Sequence, residues 1–243
     1  MVEDESRLGQ LYPGASTRAR VMEVAPRFFD PYRGRGTPPQ DWDQACWSPS
    51  RQGILSDTVS RHHWERYLFA SHFYSDLVID VACGVGYGTH LLYGMGATIL
   101  GIDIDKQAIE FANKDYPGPN YVQCDLREIP ELGKFETVLA FEIFEHLDNP
   151  RVLLDAAQEC LSDDGILYLS TPNEVRYPFV PEERVFEEYP HFRHYTPDQL
   201  DALLVDGGFK VVSRWCQRTK KNCAVTPGLD GMFLVYMAEK TIV

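Results

Sequence analysis

The chain has 243 residues, 44% of them hydrophobic, which is enough to bury the core of one domain with an extension or insertion. Its formal net charge is -13 at pH 7, and no cationic cluster exceeds the pair Lys220-Lys221. Because nucleic acids and anionic membranes bind basic patches, this charge argues against both as partners and is compatible with a small neutral or cationic one.

The cysteines and the start of the chain indicate a compartment. The six cysteines are scattered and none forms a Cys-x-x-Cys pair, so we expect reduced thiols rather than zinc ligands or disulfides. The acidic first residues contain no apolar signal core, and no apolar run approaches the ~18 residues of a membrane span. The chain is therefore predicted to be soluble and cytoplasmic, without a membrane partner.

The first 55 residues are predicted to lie outside the main domain, because proline and glycine recur through them. Aromatic residues between the prolines argue against complete disorder. Three placements are open: a cap over a ligand cleft, an arm that packs on a partner subunit in a homodimer, or a loosely attached tail, chiefly for residues 1–20. The predicted division is residues 1–55 as arm or cap and residues 56–243 as one domain.

A strand–turn–helix unit organises that domain. Residues 56–73 read as a capped helix, and the apolar run 77–82 reads as a strand buried on both faces. Gly84, Gly86 and Gly88 follow, and a helical segment begins directly after them. Such a turn places backbone N–H groups and a positive helix end beside an open cleft, where a Cβ would keep a ligand away.

The acid before this turn indicates what kind of ligand the cleft prefers. Dinucleotide sites usually read G-x-G-x-x-G, whereas the spacing here is G-x-G-x-G. Asp80 lies four residues before Gly84, inside the buried strand. A carboxylate there would repel a pyrophosphate and suits a ligand that carries an ammonium or sulfonium cation.

Four further strands are predicted in a parallel sheet. Residues 97–103 form the second strand and end in an acid, which can accept hydrogen bonds from ribose hydroxyls. Residues 121–124 form the third and 135–141 the fourth, and the segment 142–150 then faces the cleft, because ligands bind at the carboxyl ends of such strands. Residues 166–170 form the fifth.

The last third of the chain contains a predicted lid and a closing strand pair. Residues 174–195 are rich in aromatic, histidine, proline and acidic residues without a regular period, which indicates a substrate lid. A capped helix follows from residue 196. Residues 209–215 and 232–238 then read as two closing strands with a long connection between them.

Several of these segments resemble class I S-adenosylmethionine (SAM)-dependent methyltransferases. The string 80–88, Asp-Val-Ala-Cys-Gly-Val-Gly-Tyr-Gly, resembles their first motif, and the string 101–105 resembles the second. The segment 145–150, Glu-His-Leu-Asp-Asn-Pro, resembles one common in small-molecule methyltransferases. The run 191–200 and the later Gly-Gly-Phe resemble the ending of ubiquinone-type and sugar-modifying members. The resemblance covers about residues 60–240.

This resemblance implies a Rossmann-like α/β fold, a seven-stranded mostly parallel sheet with helices on both faces, and SAM as cofactor. Asp103 would bind the ribose hydroxyls, Asp125 the adenine amine with the N–H of Leu126 beside it, and Asp80 would help position the methionine end. The full predicted cofactor-binding set is Asp80, Gly84, Gly86, Gly88, Asp103, Ile104, Asp125, Leu126 and Phe141.

The acceptor is predicted to be a hydroxyl or amine of a small molecule, such as a sugar or a secondary metabolite. A hydroxyl must lose its proton, and histidine suits that role at neutral pH. His146 is the first choice as base and His194 the second, with His191 also in the cleft. The predicted acceptor contacts are Arg193, Tyr195 and Tyr67.

Three alternatives remain. A metal site built from Glu142, Glu145 and His146 is disfavoured, because a magnesium-assisted enzyme normally gathers acids from several loops, so no metal is expected. A nicotinamide-dependent oxidoreductase is disfavoured by the glycine spacing and by Asp80. A non-catalytic SAM-binding protein is disfavoured by the intact glycines and the acid at position 103.

Overall fold

The computed structural model describes residues 57–74, 77–180, 191–218 and 223–241 of the chain, with the side chains of residues 57–61 left out. The predicted arm or cap at residues 1–55 lies outside the described residues, as does the part of the predicted lid at residues 181–190. The two-part division of the chain therefore stays a prediction.

Helices cover a single mixed sheet on both faces in the described part of the chain. The helices are α1 Asp57–Ala70, α2 Tyr87–Gly94, α3 Lys106–Asp115, α4 Arg151–Cys160 and α5 Pro197–Asp206. The strands are β1 Leu77–Val81, β2 Thr98–Asp103, β3 Asn120–Gln123, β4 Phe135–Phe141, β5 Leu161–Pro172, β6 Phe209–Gln217, β7 Val225–Pro227 and β8 Phe233–Lys240. Among the described helices, none has the length and apolar character needed to cross a bilayer.

The strand order creates a cleft beside β1. The order is β3-β2-β1-β4-β5-β8-β6-β7, and the first five strands in that order run parallel. Strand β8 runs antiparallel to both β5 and β6. The chain winds outward from β1 to β3 and then returns to place β4 on the other side of β1. Such a switch point opens a crevice at the carboxyl ends of the strands.

The sheet has one strand more than expected. Seven strands were predicted, and the closing pair near residues 209–215 and 232–238 is present as β6 and β8. The added strand is β7, which pairs antiparallel with the end of β6 through Gln217↔Val225 and Trp215↔Pro227. With three residues β7 is too short to show a period-2 pattern, and Pro227 suits a sheet edge because it has no N–H to donate.

Two apolar layers explain why the central strands lack a polar face. On one side, α1 and α2 pack on the sheet around Phe69, Leu92 and Trp215. On the other, α4 and α5 pack around Leu154 and Leu200. A parallel sheet covered on both faces has strands that are apolar throughout, as predicted. Asp80, in the middle of β1, is a buried acidic exception that lies behind the wall of the cleft.

Candidate functional site

A cavity of about 690 Å³ lies at the carboxyl ends of β1, β2, β3 and β4. Its volume is in the range of sites for small ligands and cofactors. The predicted site residues on its wall are Tyr67, Gly84, Asp103, Ile104, Asp125, Leu126, Phe141, His146 and His191. Those away from its wall are Asp80, Gly86, Gly88, Arg193, His194 and Tyr195. One end of the cavity is formed by the glycine turn and the other by the histidines.

The three glycines of the turn have different physical roles. Gly84 has φ +56° and nothing within 4 Å of the position that a Cβ would occupy, so its backbone is open to a ligand. Gly86 has φ +86°, and a Cβ there would lie 2.7 Å from the side chains of Ala112 and Tyr121. A Cβ on Gly88 would lie 2.1 Å from the ring of Tyr67. Gly84 therefore serves ligand access, whereas the other two glycines serve close packing.

Asp103 holds the turn and faces the cavity at the same time. Its Oδ2 accepts a hydrogen bond of 2.8 Å from the backbone N–H of Gly84, and its Oδ1 accepts one of 2.9 Å from the N–H of Asp105. Each carboxylate oxygen can accept a second hydrogen bond. The half-buried carboxylate at the end of β2 is thus fixed by backbone donors at the cavity wall.

The end of β3 supplies a polar group beside an apolar surface. Asp125 caps a 3₁₀ turn at Leu126–Leu132, where its side chain accepts hydrogen bonds of 2.9 Å from the backbone and guanidinium of Arg127. Ile104 remains 60% exposed at the cavity wall. An exposed apolar side chain next to hydrogen-bonding groups suits one face of a flat heterocycle.

Asp80 lies behind the cavity wall rather than on it. The side chain is fully buried, and its carboxylate accepts hydrogen bonds from the hydroxyls of Thr89, at 2.6 Å, and Tyr67, at 3.1 Å. Burial raises the pKa of Asp80 from 3.8 to about 7, although both hydroxyl hydrogen bonds lower it. Tyr67 does line the cavity, so Asp80 acts on the site by holding the Tyr67 ring.

The raised pKa of Asp80 predicts a pH-dependent free energy of unfolding. Between pH 3.8 and about pH 7, the folded state binds more protons than the unfolded state. The stabilisation that Asp80 contributes to the folded state is therefore complete below pH 3.8 and is lost as the pH rises towards 7. The expected slope is about 1.4 kcal/mol per pH unit, or about 2 kcal/mol from pH 5 to pH 6.5. Urea unfolding should show Asp80→Asn gaining that much relative to wild type, whereas the exposed control Asp164→Asn should not. If the difference in free energy of unfolding between Asp80→Asn and wild type is the same at pH 5 and at pH 6.5, the raised pKa of Asp80 is contradicted.

Strain marks the end of β4. Glu142 has φ +54°, a left-handed conformation that a residue with a Cβ rarely adopts. Its N–H donates to the carbonyl of Ser170, and its carboxylate accepts from the Ser170 hydroxyl at 2.8 Å. The same carboxylate lies 3.3 Å from the buried guanidinium of Arg66, which also donates to Gln217. Backbone strain of this kind concentrates at functional sites, where surrounding contacts maintain it.

Glu145 is a second acid at this end, and it is completely buried. Its Oε2 accepts a hydrogen bond of 3.0 Å from Thr171, and its Oε1 has no hydrogen-bond partner among the described residues. Burial, followed by the charge of Glu142, raises the pKa of Glu145 well above its ordinary range, and Arg66 only partly opposes this. Burial therefore favours the neutral, protonated form of Glu145.

The three predicted histidines form one connected group. His146 and His191 line the cavity, and their ring centroids are 4.6 Å apart in an edge-to-face arrangement. Nδ1 of His191 is 2.9 Å from Nε2 of His194. His194 is only 8% exposed, and its Nδ1 is 2.7 Å from the carbonyl oxygen of Tyr177. His194, predicted as a base, thus stands one residue behind the cavity wall.

One group of side chains in the described part of the chain has metal-site spacing. The ligand-type atoms of Glu145, His146 and His191 all lie within 4.8 Å of one another. We assign no ion to it, because burial favours the neutral form of Glu145, which adds no negative charge to attract a cation. The expectation that no metal is bound stays a prediction.

Two predicted acceptor contacts are placed away from the cavity. Arg193 is exposed and donates to the carbonyl of Asp148, and Tyr195 is 5% exposed with its hydroxyl on the carbonyl of Phe144. The segment that carries them is extended and bridges Asn173, so neighbouring side chains point in opposite directions. Tyr67, the third predicted contact, does line the cavity.

Sequence reasoning missed three aromatic residues of the wall, Tyr87, Tyr177 and Phe233. Phe233 begins β8, packs over the guanidinium of Arg66 at 4.7 Å, and lies 6.2 Å from the Tyr177 ring. The aromatic composition of residues 174–195 pointed towards Tyr177. Nothing local marked Phe233, because only the antiparallel pairing of β8 with β5 brings it to the cleft.

A doubly wound sheet with a G-x-G-x-G turn after β1 and acids at the ends of β2 and β3 defines the class I SAM-dependent methyltransferase fold. The sequence profile of a protein family described as "Methyltransferase domain" matches residues 51–214, more than half of the chain. The chain belongs to this family, and its cofactor is S-adenosyl-L-methionine.

Known proteins agree with this assignment. The chain is 32% identical over 134 residues to a probable S-adenosylmethionine-dependent methyltransferase of Mycobacterium tuberculosis, a match covering 54% of this chain and 48% of that protein. It is 29% identical over 207 residues to a ubiquinone biosynthesis O-methyltransferase of Azorhizobium caulinodans, covering 79% of each. The chain also aligns with the solved magnesium protoporphyrin IX methyltransferase of Synechocystis, which has S-adenosylhomocysteine (SAH) bound. That alignment has a TM-score of 0.57 and 16% identity, and it covers 82% of this chain and 93% of the other. The chain thus spans about half the length of the mycobacterial relative.

Proposed function

We propose that this chain transfers the methyl group of SAM to a hydroxyl or amine of a small molecule. The observation that carries the proposal is one cavity whose wall includes both the acid at the end of β2, Asp103, and two histidines, His146 and His191. A cofactor at the glycine turn and an acceptor at the histidines would share that space. Their reacting atoms would then meet between them.

The cofactor would lie along the ends of β1, β2 and β3. The ribose hydroxyls would donate to Asp103, and adenine would rest against Ile104 with its amine towards Asp125 and the N–H of Leu126 beside it. The backbone at Gly84 would contact the cofactor directly. Tyr67 would border the methionine end, with Asp80 holding its hydroxyl from behind.

Asp103 provides a direct test of this placement. A hydrogen bond to a charged group is worth roughly 1.5–3 kcal/mol, so Asp103→Ala should weaken SAM binding at least ~10-fold in calorimetry. Asp164→Ala is the control, because this exposed acid lies away from the cavity. Equal SAM affinity in wild type and Asp103→Ala would remove Asp103 from the site.

Methyl transfer is a displacement at a carbon that the sulfonium already activates, so alignment supplies much of the rate enhancement. The neutral acceptor also releases one proton per turnover, and a base in contact with a hydroxyl accelerates that loss. His146 and His191 are the predicted bases that reach the cavity. Histidine can accept a proton near neutral pH, which suits either of them to this role.

The acceptor is proposed to be a ring-containing small molecule, such as a sugar or a secondary metabolite. Five aromatic side chains line the cavity, namely Tyr67, Tyr87, Phe141, Tyr177 and Phe233. Aromatic faces bind flat or sugar rings, and the name of the Azorhizobium relative, an O-methyltransferase of ubiquinone biosynthesis, favours a hydroxyl. The net charge of -13 opposes nucleic acid. Tight binding of tRNA or duplex DNA at physiological salt would contradict this assignment.

The experiment is a titration with SAM followed by a search for transfer of a radiolabelled methyl group to a panel of phenols, sugars, alcohols and amines. A methylated product supports the proposal and identifies the acceptor class. SAM binding without transfer to any of them would favour a non-catalytic SAM-binding protein. Binding of NAD in place of SAM would favour an oxidoreductase.

A cytoplasmic location and a homodimer belong to the same proposal. The described cysteines, Cys83, Cys124, Cys160, Cys216 and Cys223, are all thiols, which supports a reducing compartment. The homodimer rests on the aromatic residues of segment 1–55 alone. Light scattering of the full chain at two concentrations tests it, and a monomer mass at both would contradict it.

A further inference from the structure

The inference concerns how the acceptor proton leaves the cavity, and it rests on the proposed function. We propose that His191 takes this proton at Nε2 and passes another from its Nδ1 to His194, which lies beside the carboxylate of Glu174. The three side chains would form a relay from the cavity wall to the protein surface. His191 would be the catalytic base, and His194 and Glu174 would act through it.

The hydrogen bonds fix which ring nitrogens carry hydrogen. A carbonyl oxygen only accepts, so the 2.7 Å contact with Tyr177 requires a hydrogen on Nδ1 of His194. The lone pair of neutral His194 is then on Nε2, which is 2.9 Å from Nδ1 of His191. Nδ1 of His191 must therefore donate. The lone pair of neutral His191 is consequently on Nε2, the nitrogen required of a base.

The different exposure of these three side chains indicates the direction in which the proton would move. His191 lines the cavity, whereas His194 is 8% exposed and is covered by the rings of Tyr177 and Phe179 at 5.3 and 5.4 Å. Oε2 of Glu174 is 4.0 Å from Nδ1 of His194, and the Glu174 side chain is 37% exposed. The backbone N–H of Phe179 donates to the same oxygen at 2.9 Å and so holds the carboxylate in place. The route thus runs from the cavity to a solvent-exposed acid.

The proton balance follows from these positions. The acceptor O–H or N–H bond breaks as its oxygen or nitrogen bonds to the methyl carbon, and the proton bonds to Nε2 of His191. His191 then gives its Nδ1 hydrogen to Nε2 of His194. His191 ends neutral with its hydrogen on Nε2, and His194 becomes an imidazolium beside Glu174. Loss of one proton from His194 to solvent and return of the first tautomers complete the cycle.

The charges near the two histidines favour an imidazolium at one of them over the other. The titratable groups that face His191 are His146 and Glu145, together with His194 itself. Burial favours the neutral form of Glu145, and in that form it provides no counter-charge for an imidazolium at His191. The group that faces His194 from the lid segment is the Glu174 carboxylate. The carboxylate that can act as counter-charge for the transferred proton thus lies on the His194 side of the pair.

The test is NMR of isotope-labelled histidine ring nitrogens in the full chain saturated with S-adenosylhomocysteine (SAH). At alkaline pH, both His191 and His194 should carry hydrogen on Nδ1, although neutral histidine in water prefers Nε2. On acidification, His194 should become doubly protonated first, while His191 stays neutral and moves its hydrogen to Nε2. His191→Gln and His194→Gln assign the signals, and His72→Gln should leave both unchanged.

Glu174→Gln separates a relay from a merely structural hydrogen bond. It keeps the side-chain shape and removes the charge, so the first added proton should no longer settle on His194 alone. An Nε2 hydrogen on neutral His191 in the wild type, or an imidazolium forming first at His191, would overturn the relay. Micromolar Zn²⁺ or Mg²⁺ alone shifting the His146 and His191 signals would also overturn it, by making them metal ligands. If SAH itself does not bind, the proposed function fails and the relay fails with it.

Discussion

Replacing His191 by glutamine is expected to lower kcat for methyl transfer about 10²-fold or more at saturating SAM, because loss of a general base has that effect. His191 lines the cavity, and its hydrogen bond to His194 sets the lone pair on the ring nitrogen that must accept the proton. The KM for SAM should change little, because the proposed cofactor-binding residues, such as Asp103 and Asp125, belong to other strand ends. The assay uses the acceptor that the methyl-transfer panel identifies.

Two companion variants assign the role among the histidines. His194→Gln should lower kcat less than His191→Gln does. It should also change the pH dependence of kcat, because His194 acts on the reaction only through its hydrogen bond to His191. A loss confined to His146→Gln would instead make His146 the base. If all three variants stay within about threefold of wild type, no histidine base operates. The enzyme would then work by proximity, which would favour an amine acceptor over a hydroxyl.

Adding one methyl group at Gly88 is expected to lower the free energy of unfolding by about 3 kcal/mol. The Cβ of Gly88→Ala would lie 2.1 Å from the Tyr67 ring, which packs edge-on against Tyr87 and Phe141. The ring must move, and the hydrogen bond from its hydroxyl to the buried Asp80 would be lost with it.

Gly94→Ala is the matched control for this substitution. Gly94 is the last residue of α2, and no atom lies within 4 Å of the position that its Cβ would take. Because alanine favours helix, Gly94→Ala should leave the free energy of unfolding unchanged or raise it slightly. Urea unfolding measures both variants. Equal stability for Gly88→Ala and Gly94→Ala would show that Tyr67 does not pack against the turn.

The sequence was sufficient to predict the features that local pattern determines. The buried run before Gly84 is β1, the acid at position 103 ends β2, and residues 135–141 form β4. Each of these follows from strand periodicity and from the rule that acids and glycines at strand ends border the cleft. The cavity therefore lies where the motifs predicted it.

Features that depend on distant contacts were not predictable in the same way. Gly88 reads as a ligand-facing glycine, yet the ring that needs its space is Tyr67, 21 positions earlier in the chain. His194 was predicted to face the acceptor, but an extended segment and the Tyr177 carbonyl hold it behind His191. Such contacts depend on how the lid segment packs on the sheet, and the periodicity of the local sequence does not predict that packing.

A crystal structure of the full chain with SAH bound is the most direct test of the proposed site. The ribose hydroxyls should lie about 3 Å from the carboxylate of Asp103, and adenine should rest on Ile104. The sulfur should face the space bordered by His146 and His191. SAH bound away from Asp103, or with its adenine among the histidines, would contradict the placement of cofactor and acceptor on which the proposed function depends.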